Sequence, residues 1–475
     1  MSLLFTIAKN EMRDLTREGI FRVSAVLFAL ALLAGLIAGA THYRRVQSVV
    51  DQAVERERVR WLNQPPRDPH SATHFGQTAF HANAPLTALD TGVNPFAGSA
   101  IFLESHKRTF PRFAWVADAA QMPLLGHFSA ATVLRLFLPL FVILLAHAAF
   151  SREREAGRFG LIAASGVSNK TYVGGKFFGV TALLTMVLVP AVLLLAATAF
   201  GVSREGTSAD FVWRTLLFGL SYGLYTLVFL SLSLAVSACV ATPATGRILL
   251  VSFWVLSTIA APRAITDVAY WRHPTPRVLE FDQSIAEDPN RYLGAKRYEA
   301  FKQEVLKQYG VSKIEELPVN FSGLGALYSE EHTDQLIDRH FKELDTSFVA
   351  NARWVGAMSW LSPTLAMDQV SMSLAGSDLA HYLHFLNSAE AHRRLMVRML
   401  NEEQRDHPRK AGEKAFRADA AVWQRIPTYR YQTPRVSWAI KQQTVALGAF
   451  GGWILFSCFC LWFAVRQVQR EPLIH

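Results

Sequence analysis

The apolar residues of this chain are gathered in a few long runs, and polar stretches of very different length separate these runs. A helix needs about 20 apolar residues to cross the hydrocarbon core of a bilayer. Six runs reach or approach that length, and we number them spans 1 to 6: Phe21–Ala40, Ala130–Phe150, Phe177–Phe200, Thr215–Val240, Ile248–Pro262 and Thr444–Val465. The pattern predicts an all-α membrane protein with six transmembrane helices, of which span 5 is the shortest.

Span 1 has two interpretations, because Ala38-Gly39-Ala40 is typical of a signal-peptide cleavage site. The charged leader over residues 1–20 is long for a signal peptide, however, and five more spans follow. We therefore expect a retained signal-anchor. The leader alternates apolar and basic positions at helical spacing, which predicts an amphipathic helix at the cytoplasmic membrane interface.

Lysine and arginine set the orientation, because they are enriched in short loops on the cytoplasmic side. With the N-terminus inside, the cytoplasmic pieces hold twelve of them: Lys9, Arg13, Arg17, Arg22, Arg152, Arg154, Arg158, Lys170, Lys176, Arg247, Arg466 and Arg470. The short outer loop between spans 3 and 4 holds only Arg204 and Arg214. Both termini, including the tail 466–475, are predicted to be cytoplasmic, and a bacterial inner membrane is the expected location.

Composition changes this picture little. The 475 residues are 51% hydrophobic, which excludes a disordered or collagen-like chain. The formal net charge of +10 lies mostly at the inner side and at the span ends, so it is a topology signal and predicts no nucleic-acid binding. The three cysteines, Cys239, Cys458 and Cys460, lie in or beside spans, so no disulfide framework is expected in the soluble segments.

Two long segments, 41–129 and 263–443, lie outside in this topology, and we expect them to form one mixed α+β periplasmic domain. In the first, span 1 continues as a polar helix to Arg60 until Pro65-Pro66 stops it, and short strands and loops follow. The second segment is more helical. Its predicted elements are helices over 295–309 and 328–344, a helix from Ser362-Pro363 to Glu403 with a break near Gly376-Ser377, and an exposed charged linker over 404–420.

Two features inside the spans have more than one interpretation. Gly219 and Gly223 form a GxxxG step in span 4, which favours close helix packing either within the bundle or at a dimer or pathway face. Arg135 is a charge well inside span 2. Its side chain either extends to the outer interface or has a functional role.

The loop 151–176 between spans 2 and 3 carries the most informative pattern. The sequence SREREAGRFGLIAASGVSNKTYVGGK places a charged turn before a short apolar helix over Phe159–Ala164, followed by a Gly-Val-Ser turn and a Gly-Gly-Lys entry into span 3. Taken alone, the pattern fits a helix at the inner surface that docks a soluble partner, and it also fits an ordinary basic loop that obeys the positive-inside rule.

The same loop resembles the coupling region of type-2 ABC exporter permeases, which reads approximately E-x-E-x-G-T, a Leu-rich helix, a Pro-Val-Ser-Arg turn and Gly-Lys. The matching residues are Glu153, Glu155, Gly157, Val167, Ser168, Gly175 and Lys176. The chain departs from the pattern with Arg158 for Thr, Gly166 for Pro and Asn169 for Arg. The resemblance implies that the ATPase-coupling residues are Glu153, Glu155, Gly157, Gly166, Val167, Ser168 and Lys176.

Residues 87–107 and 362–396 are similar to a subgroup of these permeases that has large uncharacterised periplasmic insertions between spans 1 and 2 and between spans 5 and 6. The resemblance implies export, a second copy of this or a similar permease as dimer partner, and a separate ABC ATPase subunit that binds ATP and Mg. A periplasmic partner is also compatible with the insertions. This chain carries no cofactor of its own in that interpretation, since the nearest approach to a P-loop, KTYVGGKF, lacks its first Gly and its final Ser/Thr.

Catalytic and metal sites have little support in the sequence. Thirteen of the fifteen histidines lie in the two outer segments, and His381 and His384 form an HxxH pair with His392 farther along the same predicted helix. We treat His381 and His384 as weak metal candidates only and predict no metal site. No G-x-S-x-G motif is present, so we assign no catalytic residue and expect a transporter subunit instead of an enzyme.

Two further hypotheses belong to other classes. A membrane-anchored periplasmic sensor or scaffold would need no ATPase, and changes in 151–176 would then have no effect. An intramembrane or periplasmic metallohydrolase would need a metal site that the sequence does not display.

Overall fold

The structure is a computed structural model that describes residues 3–114, 128–203, 208–291, 294–408 and 416–470. The sequence predictions for some residues lie outside the described ranges. These are Arg204, residues 1–2 of the leader, 115–127 of the first outer segment, 409–415 of the linker and 471–475 of the tail.

The described residues are mainly helical. In chain order the helices are α1 (Leu3–Arg17), α2 (Gly19–Leu62), α3 (Pro69–Phe75), α4 (Ala130–Ala146), α5 (Ser151–Glu155), α6 (Phe159–Ala164), α7 (Asn169–Val202), α8 (Ala209–Cys239), α9 (Pro243–Arg272), α10 (Val278–Ala286), α11 (Ala295–Tyr309), α12 (Phe321–Met358), α13 (Pro363–Ala375), α14 (Leu379–Arg405), α15 (Ala420–Arg425), α16 (Val436–Gln442) and α17 (Thr444–Arg470). Short 3₁₀ turns occupy Pro85–Ala88, Asn94–Phe96, Ile314–Glu316 and Ser359–Leu361.

Six helical segments are long and apolar enough to cross a membrane, and each covers most or all of one of the runs found in the sequence: α2, α4 with its continuation to Glu155, α7, α8, α9 and α17. The prediction of a multi-pass, mainly helical membrane protein is confirmed. Span 5 is longer than its apolar run of 248–262, because α9 continues over polar residues to Arg272 and takes up a π-helical turn at Leu256–Ala260.

The strands are few and short. β1 (Gln77–Phe80), β2 (Gly98–Glu104), β3 (Lys107–Arg108) and β4 (Arg112–Ala114) form one antiparallel sheet in which β2 pairs with all three others. We use the name head for the described residues 63–114 and 273–442. The head has a core built from both outer segments, since Ala79 and Ile101 of the sheet pack with Phe385 and Met396 of α14.

Helix α13 lies inside the transmembrane bundle although it belongs to the second outer segment. Ser362 caps its first turn by accepting a hydrogen bond from the Leu365 amide, Pro363 occupies the first helical position, and Gly376 ends the helix in a left-handed conformation. Ten of its thirteen residues are buried, and Ala366, Met367 and Val370 belong to the same core as the spans. The head is thus fixed into the bundle by a whole helix.

The predicted linker 404–420 is only partly a linker. Helix α14 extends to Arg405, and Ala418 is buried and forms a two-way backbone pair with Arg67 of the first outer segment. The exposed-linker prediction is wrong for Gln404 and Ala418, which are buried, whereas Arg417, Asp419 and Ala420 are exposed. Although the segment is rich in charged residues, the small side chain of Ala418 packs in the head core.

His81 is buried in the head core among aromatic rings. Its ring lies 4.7 Å from that of Phe385, 5.3 Å from Tyr431 and 5.9 Å from Tyr382, measured between centroids. Burial, together with the nearby His381, lowers the pKa of His81 to about 4. His381 is in turn hydrogen-bonded to Asp378, with 2.5 Å between His381 Nδ1 and Asp378 Oδ1.

We expect His81 to make the head sensitive to acid. Between pH 6.5 and about 4 the unfolded chain binds a proton at His81 that the folded chain does not, so this histidine's contribution to stability is present above pH 6.5 and is lost as the pH falls through that window. The loss relative to His81→Phe should approach about 3 kcal/mol at pH 4. Thermal unfolding midpoints of both proteins, measured from pH 7.5 to pH 4, check this. Parallel pH curves would contradict it.

Candidate functional site

Helices α1, α5 and α6 meet at one end of the bundle, which we call the loop end. Lys176, in the second turn of α7, connects them. Its side chain is buried, and its Nζ donates to Glu11 of α1 at 2.8 Å and to Glu153 of α5 at 2.8 Å. One ammonium group therefore holds three separate segments of the chain together.

The direct ion pairs at this junction involve more carboxylates than cations, and Arg152 and Arg158 lie around the same cavity. One ammonium faces two carboxylates, and the second oxygen of Glu153, Oε2, is buried without a hydrogen-bond partner among the described residues. Burial raises the pKa of Glu11, while the adjacent Lys176 acts in the opposite direction. A cavity of about 140 Å³ lies beside the junction and is lined by the same three side chains. The junction is a buried ionic site whose integrity depends on the lysine.

Two glycines let α1 approach this site. A Cβ on Gly175 would lie 2.6 Å from the Ile7 side chain, and a Cβ on Gly179 would lie 2.7 Å from the Ala8 carbonyl oxygen. Gly175 and Gly179 thus form a GxxxG step that brings two helices into close contact. The sequence analysis named a different GxxxG step, that of Gly219 and Gly223 in span 4. There, a Cβ on Gly219 would meet Val192 at 2.9 Å, which indicates packing inside the bundle, whereas Gly223 has no such neighbour among the described residues.

Helix α5 is also attached to the end of α8. The Arg154 guanidinium donates to the last carbonyl groups of α8, at 3.3 Å from Ser237 and 2.9 Å from Ala238. The Ser237 hydroxyl in turn accepts hydrogen bonds from the backbone amides of Phe150 and Ser151 at 3.0 and 3.3 Å. A cation at the C-terminus of a helix also interacts favourably with the helix dipole. The start of the loop is thereby fixed to span 4.

Helix α6 is presented outward from this fixed base. Gly157 and Gly166 stand before and after it with φ angles of +67° and +75°, a conformation that glycine adopts without strain. Phe159, Ile162 and Val167 pack against the bundle core, whereas Leu161 on the other face is 73% exposed.

The remaining predicted residues lie close by. Ser168 caps α7 by accepting a hydrogen bond from the Thr171 amide at 3.2 Å, and Glu155 is exposed at the end of α5. The structure therefore brings the predicted residues to one end of the bundle, where Lys176 is buried, Glu153 and Val167 are partly buried, and Glu155, Gly157, Gly166 and Ser168 are exposed.

At the opposite end of the bundle, which we call the head end, α8 is attached to α13. Tyr222 and Tyr225 of α8 form hydrogen bonds with Ser371 at 3.0 Å and Thr364 at 2.8 Å. The Ser371 hydroxyl also donates to Asp90 of the first outer segment at 2.5 Å. All of these side chains are buried. Both outer segments are therefore linked to span 4 through one polar network.

Two arginines complete this attachment. Arg135 forms an ion pair with Asp368 of α13, so its side chain has a partner within the fold. Arg214 donates to the carbonyl oxygens of Ser373 and Leu374 at 3.1 and 3.0 Å, which are the last carbonyls of α13. The basic side chain again lies where the helix dipole favours a cation.

Comparison with known proteins assigns only the second outer segment. Residues 278–432 match a domain of unknown function (DUF3526). No curated protein matches the chain.

The matched segment begins at α10 and ends after α15, so it includes α13 and α14. The matched segment does not include the loop end. It does not form the head core alone, because Trp61 and the sheet supply part of that core. Trp61 Nε1 donates to the carbonyl of Trp423 at 3.0 Å, which joins α2 to the end of the matched segment. The segment functions structurally as one half of the head.

The two weak metal candidates lie within the matched segment, on α14. His381 is buried, and its Nδ1 is 2.5 Å from Asp378 Oδ1. His384 lies against the rings of Tyr431 and Trp438. Within the described residues, neither histidine belongs to a group of three potential metal ligands. Both side chains instead pack where α14 meets the segment before α17.

Proposed function

We propose that this chain is the membrane subunit of an ATP-driven transporter of the ABC type, with the loop 151–176 receiving the movement of a separate ATPase. The observation that carries the proposal is the geometry of α6. A short amphipathic helix projects an exposed Leu161 from a base that is fixed to other helices by buried ionic and hydrogen-bonded contacts. A force applied to such a helix is transmitted, because the base is rigid.

The contacts on either side of α6 suggest which elements would move. Through Arg154 and Ser237 the loop is joined to α8, and through Lys176 it is joined to α7 and α1. Helix α8 continues to the head end, where Tyr222 and Arg214 hold α13. A displacement of the loop would therefore reach the head along a continuous set of packed helices, and two arrangements of these helices would give two access states.

The wider assignment follows from the resemblance and the charge distribution. We place the chain in a bacterial inner membrane with both termini and the loop end in the cytoplasm and the mixed α+β head in the periplasm. ATP and Mg bind to the partner ATPase. Six spans form half of a pathway, so a second permease copy, identical or similar, completes a dimer. Export is the direction that the resemblance implies.

The variant Leu161→Glu tests the proposal. The Leu161 side chain is exposed, so the substitution removes an interface anchor while leaving the fold intact. Purified in mild detergent from its native host, the unaltered chain should retain a soluble P-loop ATPase. Leu161→Glu should retain about tenfold less of it, because one anchor in the centre of an interface contributes about 1–2 kcal/mol.

Leu395→Glu is the matched control, since Leu395 is a half-exposed leucine on the head. It should retain the ATPase in full. Recovery of the unaltered chain without any ATPase, in a detergent that keeps ABC complexes intact, would refute the proposal and favour a membrane-anchored sensor or scaffold. Equal recovery with Leu161→Glu would show that α6 is not the docking element.

A further inference from the structure

Three histidines of the first outer segment meet on the surface of the head. His70 and His74 are four residues apart on one face of α3, and His106 lies at the tip of the hairpin that joins β2 to β3. One ring nitrogen from each lies within 4.8 Å of the other two. The ring centroids are 5.2 to 5.5 Å apart.

Two of the three rings are oriented by partners from the second outer segment. His70 Nδ1 lies 2.8 Å from Oδ1 of the buried Asn401, and His106 Nδ1 lies 2.6 Å from Oε1 of the buried Glu330. A ring that donates a proton from Nδ1 to an oxygen keeps its Nε2 lone pair free. Histidines that bind metals are typically held in this way by an amide or carboxylate oxygen behind the ring.

The hairpin tip is held in place at some conformational cost. His106 has a φ angle of +62°, in the left-handed region that residues with a side chain adopt infrequently. The Glu330 carboxylate also accepts the His106 backbone amide at 2.9 Å. Next to it, the buried Ser105 hydroxyl is hydrogen-bonded to Thr73 of α3. These contacts fix the third histidine beside the other two.

We propose that His70, His74 and His106 form a binding site for a divalent transition-metal ion. Neutral imidazole nitrogens suit borderline ions such as Zn²⁺, and three of them leave a fourth position for water or another ligand. That position faces solvent, since His74 and His106 are exposed. Metal–nitrogen distances of about 2.0–2.1 Å need ring nitrogens about 3.3 Å apart, so small rotations of the two exposed rings complete the site. The proposal is independent of the transport function.

Zn²⁺ itself is the probe. The full chain, purified in detergent with a tag that contains no histidine and treated with a chelator, should bind one Zn²⁺ per chain in a calorimetric titration. Co²⁺ in place of Zn²⁺ should give the visible absorption of a four-coordinate ion. His74→Ala should weaken Zn²⁺ binding by about 100-fold or more and abolish the Co²⁺ spectrum, because it removes an exposed ligand.

Two further variants separate coordination from folding. His384→Ala, the matched control on α14, should bind as the unaltered chain does. Asn401→Leu should weaken binding by about tenfold, whereas Asn401→Asp should restore it, because the carboxylate again accepts from His70 Nδ1. Failure of the unaltered chain to bind one Zn²⁺, unchanged binding by His74→Ala, or equal competition by Mg²⁺ would each overturn the proposal, since Mg²⁺ prefers oxygen ligands.

Discussion

Lys176→Met is expected to lower the free energy of unfolding by about 3 kcal/mol, because it removes the buried ammonium group that pairs with the partly buried carboxylates of Glu11 and Glu153. The loss should be concentrated at the loop end. Backbone amides of α1 and α5 should exchange with solvent faster than in the unaltered chain, while those of α14 in the head should not change. Thermal unfolding in detergent and hydrogen exchange measure the two effects.

The chain offers a matched control and a rescue for this change. Lys170→Met removes an exposed lysine from the first turn of the same helix and should leave both measurements as they are. Combining Lys176→Met with Glu11→Gln and Glu153→Gln should recover most of the lost stability, since neutral amides are far less costly to bury than unpaired carboxylates. If Lys176→Met and Lys170→Met behave alike, the junction does not hold the loop end together.

Arg393→Met should destabilise the head by a similar amount, about 3–5 kcal/mol. The Arg393 guanidinium is buried on α14 and faces the carboxylates of Glu330, Asp334 and Glu390, which belong to α12 and α14. Its removal leaves three acidic groups close together without that cation. Tryptophan fluorescence during denaturant unfolding reports on the head through the buried Trp423.

Arg398→Met provides the comparison, because Arg398 is an exposed arginine on the same helix. We expect its unfolding curve to coincide with that of the unaltered chain. A small effect of Arg393→Met, comparable to that of Arg398→Met, would mean that the acidic groups are accommodated by solvent and not by this guanidinium.

Much of the helical structure could be predicted from periodicity and from the residues at helix ends. Helix α11 has the predicted bounds, because good helix formers lie between Gly294 and Gly310. The predicted break at Gly376 and the predicted end of α2 before Pro65-Pro66 are also confirmed, since glycine and proline end helices. Helix α12 is longer than predicted at both ends, and groups distant in the sequence contact both extensions: the Asn320 amide donates to the Arg405 carbonyl and Asn351 donates to the His273 carbonyl.

The candidate sites were predictable only in part. The spacing of Glu153 and Lys176 is visible in the sequence, but the pairing of Lys176 with Glu11 depends on how α1 folds back onto α7. The GxxxG step of Gly175 and Gly179 is visible in the sequence, but the sequence analysis did not use it to predict the contact with α1. The pair His70 and His74 has the spacing of one helical face, yet nothing local indicates that His106, far along the chain, would join it. Long-range partners carry no local signature.

The position of α13 has a consequence for how the protein is made. Helices α4 and α8 are synthesised before residue 363, so Arg135 and Arg214 enter the membrane before Asp368 and the final carbonyls of α13 exist. A ribosome that stops after the fifth span leaves a bundle with two guanidinium groups that lack these partners and a gap where α13 belongs. A charge inside a membrane segment, such as Arg135 in span 2, is costly without its partner. The arrival of α13 therefore completes the bundle, because it supplies the partner of Arg135 and fills the core between the spans.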